Sequence, residues 1–97
     1  KDVINIDLAF QNACREGNLN VVEMIYKNLE DHFNIRANND MSIRDAIFYG
    51  HIDVIRFLLE IYEQKKFNLK MDDIHFIDDN YFGHQEIINL LKEYNFE

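Results

Sequence analysis

The chain has 97 residues, 47% of them hydrophobic, which suffices for one ordinary domain with a continuous core and no help from disulfides or metal. Eighteen Asp and Glu against ten Lys and Arg leave a formal charge of −8. That charge repels phosphate backbones and anionic headgroups and argues against nucleic acid or a membrane surface as partner. The single cysteine, Cys14, excludes an internal disulfide and fits a reducing compartment. No apolar run approaches the roughly 20 residues that cross a bilayer and no signal peptide opens the chain, so an intracellular, cytoplasmic protein is expected. The first residue is Lys1 rather than methionine, as in a trimmed chain.

The glycines set the organisation. There are three, Gly17, Gly50 and Gly83, each 33 residues from the next, and the residues around them repeat in the same register. In the first unit Asp7 stands ten residues before the glycine and is expected to cap a short helix over 8–16, which Gly17 closes in the left-handed conformation. A second helix over 20–29 follows, with Asn20 at its positive end and an apolar stripe through Val21, Val22, Met24 and Ile25. The segment 32–40, HFNIRANND, alternates apolar and polar residues and suits an extended arm or loose hairpin.

The second unit repeats this plan. Asp40 caps a helix over 41–49, Gly50 ends it, and Asp53 opens a helix over 53–64 with the stripe Val54, Ile55, Phe57 and Leu58. A shorter arm, KFNLKMDD, covers 66–73. In the third unit Asp73, a helix over 74–82, Gly83, Glu86 and a helix over 86–95 carrying Ile87, Ile88, Leu90 and Leu91 are expected. A helix pair of this size cannot hide its own stripe from water, and stacking against the next pair does so. The expected fold is all-α, one domain of three helix-turn-helix units over about 5–37, 38–70 and 71–97.

The segments 46–59, AIFYGHIDVIRFLL, and 13–25, ACREGNLNVVEMI, resemble the ankyrin repeat, with its small-small-x-x-Gly-His-x-Asp/Glu-Val-Val-x-x-Leu-Leu pattern at period 33. The segment 79–91, DNYFGHQEIINLL, keeps the second helix of that pattern and lacks the small pair. The family's usual Thr-Pro-Leu-His opening is replaced by MSIR at 41–44, and proline is absent throughout. The string IRANNDMSIRDA at 35–46, with the abundance of Asn, Ile, Lys, Tyr and Phe, looks like ankyrin arrays encoded by giant DNA viruses, which would place the protein in host cytoplasm. The resemblance implies an ankyrin-repeat solenoid with extended or hairpin fingers, acting as a non-catalytic module that binds another protein. Two further readings stay open: a substrate-adaptor fragment of a ubiquitin-ligase-linked protein, and an element that associates with copies of itself. A monomer is the simpler expectation.

Family geometry points the two residues before each glycine into the concave groove: Arg15 and Glu16, Phe48 and Tyr49, Tyr81 and Phe82. Exposed aromatics there mark a binding strip, although the same rings also suit packing on the next helix. Asn38, Asp40, Met71 and Asp73, with Ala37, are the finger candidates. His51 and His84 fall at the family's histidine position, where the imidazole braces the turn between helices. The four histidines lack the paired short spacings of a zinc site, and no Ser, Cys or His constellation suggests catalysis, so no metal, no cofactor and no enzyme activity are expected. Cys14 reads as a small buried filler. Asp79 and Asn80 occupy the slots of the small pair, where a buried carboxylate would be costly. They therefore mark either a solvent-facing C-terminal cap or a longer array cut short.

Overall fold

The computed structural model describes residues 5–70, 74–75 and 83–94. Among them are five α-helices, α1 (Ile6–Glu16), α2 (Leu19–Leu29), α3 (Ala37–Phe48), α4 (Ile52–Lys65) and α5 (His84–Glu93), a single 3₁₀ turn at Glu30–His32, and no strand. The helix expected over 74–82 lies outside the described residues, apart from Ile74 and His75, which are not helical.

Local chemistry explains the helix boundaries. α1 begins two residues earlier than expected because Asn5, not Asp7, is its cap: Asn5 Oδ1 accepts the Leu8 amide at 3.0 Å. Asp7 is drawn elsewhere, accepting the Asn34 amide at 2.8 Å and so tying the start of α1 to the segment that leads into α3. Gly17, at φ 74, then closes α1, with the Gly17 amide donating to the Cys14 carbonyl at 3.2 Å and the Asn18 amide to the Ala13 carbonyl at 2.9 Å. The same pair of bonds recurs at the end of α3, where Gly50 has φ 77. Its amide donates to the Ile47 carbonyl at 3.1 Å and the His51 amide to the Ala46 carbonyl at 2.9 Å. Gly83 breaks the expected pattern, since its φ is −76 and it caps the start of α5 in right-handed conformation.

The arm between the first two helix pairs is neither extended nor a hairpin at its tip. Asn38, Asn39 and Asp40 all have left-handed φ, at 58, 60 and 60, and the right-handed part of α3 follows from Met41. Left-handed backbone costs an ordinary L-residue about 1–2 kcal/mol, least for Asn and Asp, and those are the residue types found here.

The pairs α1/α2 and α3/α4 each reverse through a glycine turn and then pack side by side: α1 lies against α2 and α3, α3 against α4, α2 against α4, and α4 against α5. The seam is fully buried at Phe10, Cys14, Ile43, Ala46 and Ile47 on the first helices and at Val22, Val54, Ile55, Leu58 and Leu59 on the second. Ile87 and Leu91 of α5 extend the core. Met24, expected in the stripe, is instead 56% exposed.

His51 crosses the seam, its Nε2 lying 2.8 Å from the Arg15 carbonyl at the end of α1. Its ring also lies over Gly17, so that a Cβ there would fall 2.4 Å from Nδ1. Gly17 is therefore fixed twice, by its φ and by the imidazole. Gly17→Ala is expected to cost about 2–4 kcal/mol in urea unfolding, falling to the 1–2 kcal/mol of left-handed backbone alone when His51→Ala is also present. Among the described residues one polar atom of the core is unpaired: Gln11, 7% exposed, leaves Nε2 with no hydrogen-bond partner. Gln11→Met replaces that orphan with apolar volume and is expected to raise stability by about 1–2 kcal/mol in the same measurement.

Candidate functional site

One side of α3 carries Met41, Arg44, Asp45 and Phe48, and Tyr49 follows at its C-terminal end, continuing the i, i+3, i+4, i+7, i+8 spacing that puts side chains on one side of a helix. These five, with His75, line a hollow of about 320 Å³. Tyr49 is 41% exposed, and its ring meets Phe48 edge-on at 4.9 Å and stacks with His51 at 6.4 Å. The neighbouring helix end contributes Arg15 and Glu16, both exposed, and Arg15 Nη2 donates to Asn12 Oδ1 at 2.8 Å. Burial raises the Asp45 carboxyl above its ordinary pKa, while the positive charges of Arg15 and Arg44 pull it back down. One neighbourhood thus gathers a half-open aromatic surface, two guanidinium groups and a carboxylate.

Of the residues expected at a binding surface, Phe48 and Tyr49 line the hollow, Arg15 at the end of α1 is near enough for its charge to act on Asp45, and Glu16 is exposed at the same helix end. Asn38 is exposed at the far end of α3, in the left-handed turn. Met71, Asp73, Tyr81 and Phe82 lie outside the described residues. The sequence reading missed Met41, Arg44 and Asp45 as lining residues, although a helical wheel drawn from Tyr49 back through α3 reaches all three.

Asp40 does not sit at a finger tip. It is 9% exposed, and its carboxylate is gripped from two elements. Arg36 Nε donates to Oδ1 at 2.7 Å and Arg36 Nη2 to Oδ2 at 3.0 Å, while the Tyr62 hydroxyl from α4 donates to Oδ1 at 2.6 Å. Arg36 reaches on to the Asn68 carbonyl at 2.5 Å and lies over the Phe67 ring at 4.8 Å. The left-handed turn brings Asp40 inward to this knot, and the two fingers are thereby tied to each other and to α4. Burial alone would raise the Asp40 pKa; the hydrogen bonds from Arg36 and Tyr62 and the charges of Arg36 and Arg44 outweigh it and hold the carboxyl below its ordinary value. Tyr62 is pushed up by burial and by the same carboxylate.

Cys14 is buried in the seam, and burial pushes its thiol up to about 12, opposed by a hydrogen bond with Ser42 and reinforced by Asp45. At neutral pH it stays a thiol, and the thiolate is the form that attacks electrophiles or binds metal. Among the described residues no group of three or more His, Cys, Asp or Glu could hold a metal ion, and no helix is long and apolar enough to cross a membrane. No protein-family model, curated protein or solved structure matches the chain.

The depressed Asp40 pKa makes the knot sensitive to acid. A carboxyl whose folded-state pKa lies below its unfolded value contributes stability above the unfolded pKa and loses it as pH falls through the folded one. Asp45, raised in the folded state, contributes with the opposite sign. Asp40→Asn is therefore expected to cost about 1.5–3 kcal/mol at pH 7. The gap between its urea midpoint and that of the wild type should narrow as pH falls from about 5 towards 2, while Asp45 affects both proteins alike.

Proposed function

We propose that the chain is a non-catalytic interaction module of the ankyrin-repeat type, which holds another protein against the open face of α3 and the adjoining end of α1. The observation that carries this reading is Tyr49: a large aromatic side chain left 41% exposed in a hollow that it shares with Met41, Arg44, Asp45, Phe48 and His75. Tyrosine and arginine are residue types enriched at the centres of protein interfaces, where a few side chains supply most of the affinity. The scaffold suits the task. The helices behind the hollow are locked through the buried seam, so a partner meets side chains whose ordering cost has already been met.

The ankyrin reading draws support from the turns. Gly17 and Gly50 close α1 and α3 with the same backbone bonds at an interval of 33 residues, and His51 binds the carbonyl of the preceding turn. Matching turns of this kind are what the sequence resemblance leads one to expect of the family.

Binding is expected to fail without loss of fold when the hollow is altered. Tyr49→Ala and Met41→Ala should each leave the thermal midpoint within about 2 °C, because both side chains are only partly buried. Tyr49→Ala should weaken affinity for a captured partner by about 2 kcal/mol, roughly 30-fold in Kd. Glu60→Ala, at an exposed site on α4, serves as the control. Retention of partner affinity by Tyr49→Ala and Met41→Ala together would overturn the assignment.

A further inference from the structure

A second hollow, of about 240 Å³, lies where the end of α2 meets the segment after α4, and it shares no wall with the one at Tyr49. Three aromatic rings line it, and each is held by another ring. Tyr26 meets Phe57 of α4 edge-on at 5.9 Å, and Phe67 meets Tyr62 of α4 edge-on at 5.3 Å. Phe33 rests at 4.7 Å on Phe10 of α1, which is fully buried. The 3₁₀ turn after α2 sets two carboxylates, Glu30 and Asp31, at the same hollow. Glu30 accepts the Tyr26 hydroxyl at 3.0 Å and pairs with the Lys65 ammonium at 3.2 Å, both on Oε2. These bonds, the one from Tyr26 foremost, hold its carboxyl below the ordinary pKa, so it is ionised at neutral pH. Among the described residues nothing bonds to Glu30 Oε1 or to the Asp31 carboxylate. The fold itself shows what such a combination holds. Arg36 lies over the Phe67 ring at 4.8 Å and the Tyr62 ring at 5.6 Å while its guanidinium gives two hydrogen bonds to Asp40. A guanidinium is planar and weakly hydrated, so it rests on ring faces and donates from its edge at the same time.

We propose that the hollow of Tyr26, Phe33 and Phe67 takes an arginine side chain from a basic segment of a protein partner, with its planar face on the rings and its edge on Glu30 and Asp31. Charge complementarity selects the occupant. Two carboxylates stand against one ammonium at the hollow, the chain carries −8 overall, and ring faces are themselves electron-rich, so cations are drawn in and anions repelled. A neutral apolar side chain would cover the rings and leave both carboxylates unanswered. A lysine would bring a compact, strongly hydrated ammonium that gains less from the rings and only repeats the bond Lys65 already makes. Lys65 is no obstacle to the larger group: its pairing with Glu30 is exposed on both sides and contributes little. Arg36 does not line the hollow, and its charge is answered by Asp40.

The test is a titration of the 97-residue chain with Nα-acetyl-arginine methylamide, followed by two-dimensional NMR. Saturable shifts are expected at Tyr26, Glu30, Asp31, Phe33 and Phe67. The citrulline analogue, equal in shape but uncharged, and the lysine analogue should each bind at least tenfold more weakly. Glu30→Gln combined with Asp31→Asn, at exposed positions that leave the urea midpoint nearly unchanged, should weaken the arginine probe at least tenfold. Lys65→Ala clears Glu30 Oε2 and should strengthen it about threefold. Equal binding of the citrulline analogue would overturn the proposal, and so would undiminished arginine binding by the double variant. Tighter binding of a trimethylated lysine analogue would overturn the choice of a guanidinium, and shifts centred on Asp45 and Tyr49 would overturn the choice of hollow. Tyr49→Ala should leave the expected shifts untouched, so a failure here leaves binding at Tyr49 standing.

Discussion

Neither helix pair can shield its apolar side alone, and the seam between them governs the rest of the structure. Its centre is apolar packing of Cys14, Ala46, Ile47, Leu58 and their neighbours, but apolar packing is non-directional and does not by itself fix a register. The register comes from the His51 imidazole, seated over Gly17 and bonded to the Arg15 carbonyl. A side chain at 17 would expel the ring, and a pair shifted along the seam would lose the bond. The positions of Tyr49, Arg15 and Asp45 follow from that single alignment.

Polar groups reinforce the seam at its other margins. The Asp7 carboxylate reaches forward to the Asn34 amide, and the Glu30 carboxylate accepts from the Tyr26 hydroxyl at 3.0 Å and pairs with Lys65 at 3.2 Å across to α4. The last pair is exposed and contributes little. The Arg36, Asp40 and Tyr62 knot differs because it is mostly buried and every charge in it is answered. It also holds three consecutive residues in left-handed conformation, a strain that persists only where surrounding contacts over-determine the backbone.

Much of this architecture was legible in the residues. The glycine interval, the apolar stripes and the small Ala13/Cys14 and Ala46/Ile47 pairs gave α2, α4 and the right-handed part of α3 to within one or two residues. What escaped was the allegiance of the acids. Asp7 and Asp40 occupy equivalent places, and each reads as a cap for its own helix, because a carboxylate near free amides ordinarily satisfies them. Both instead serve groups distant in sequence, the Asn34 amide and the Tyr62 hydroxyl, which only the folded chain brings near. The left-handed run was hidden for a related reason: Asn-Asn-Asp tolerates that conformation without demanding it, and the demand comes from Arg36 and Tyr62. Within the hollow the aromatic pair was legible from its place before Gly50, whereas Arg44 and Asp45 looked like ordinary solvated charges.

Cys14 gives the seam a chemical clock. Its sulfur lies between the helix pairs, fully covered and held as a thiol by a pKa near 12, so no electrophile in the solvent reaches it while the pairs are together. Alkylation must wait for the pairs to part. The rate of cysteine labelling therefore counts the openings of this one boundary, separately from fraying at the helix ends, and the protein carries its own probe of how often its two halves come apart.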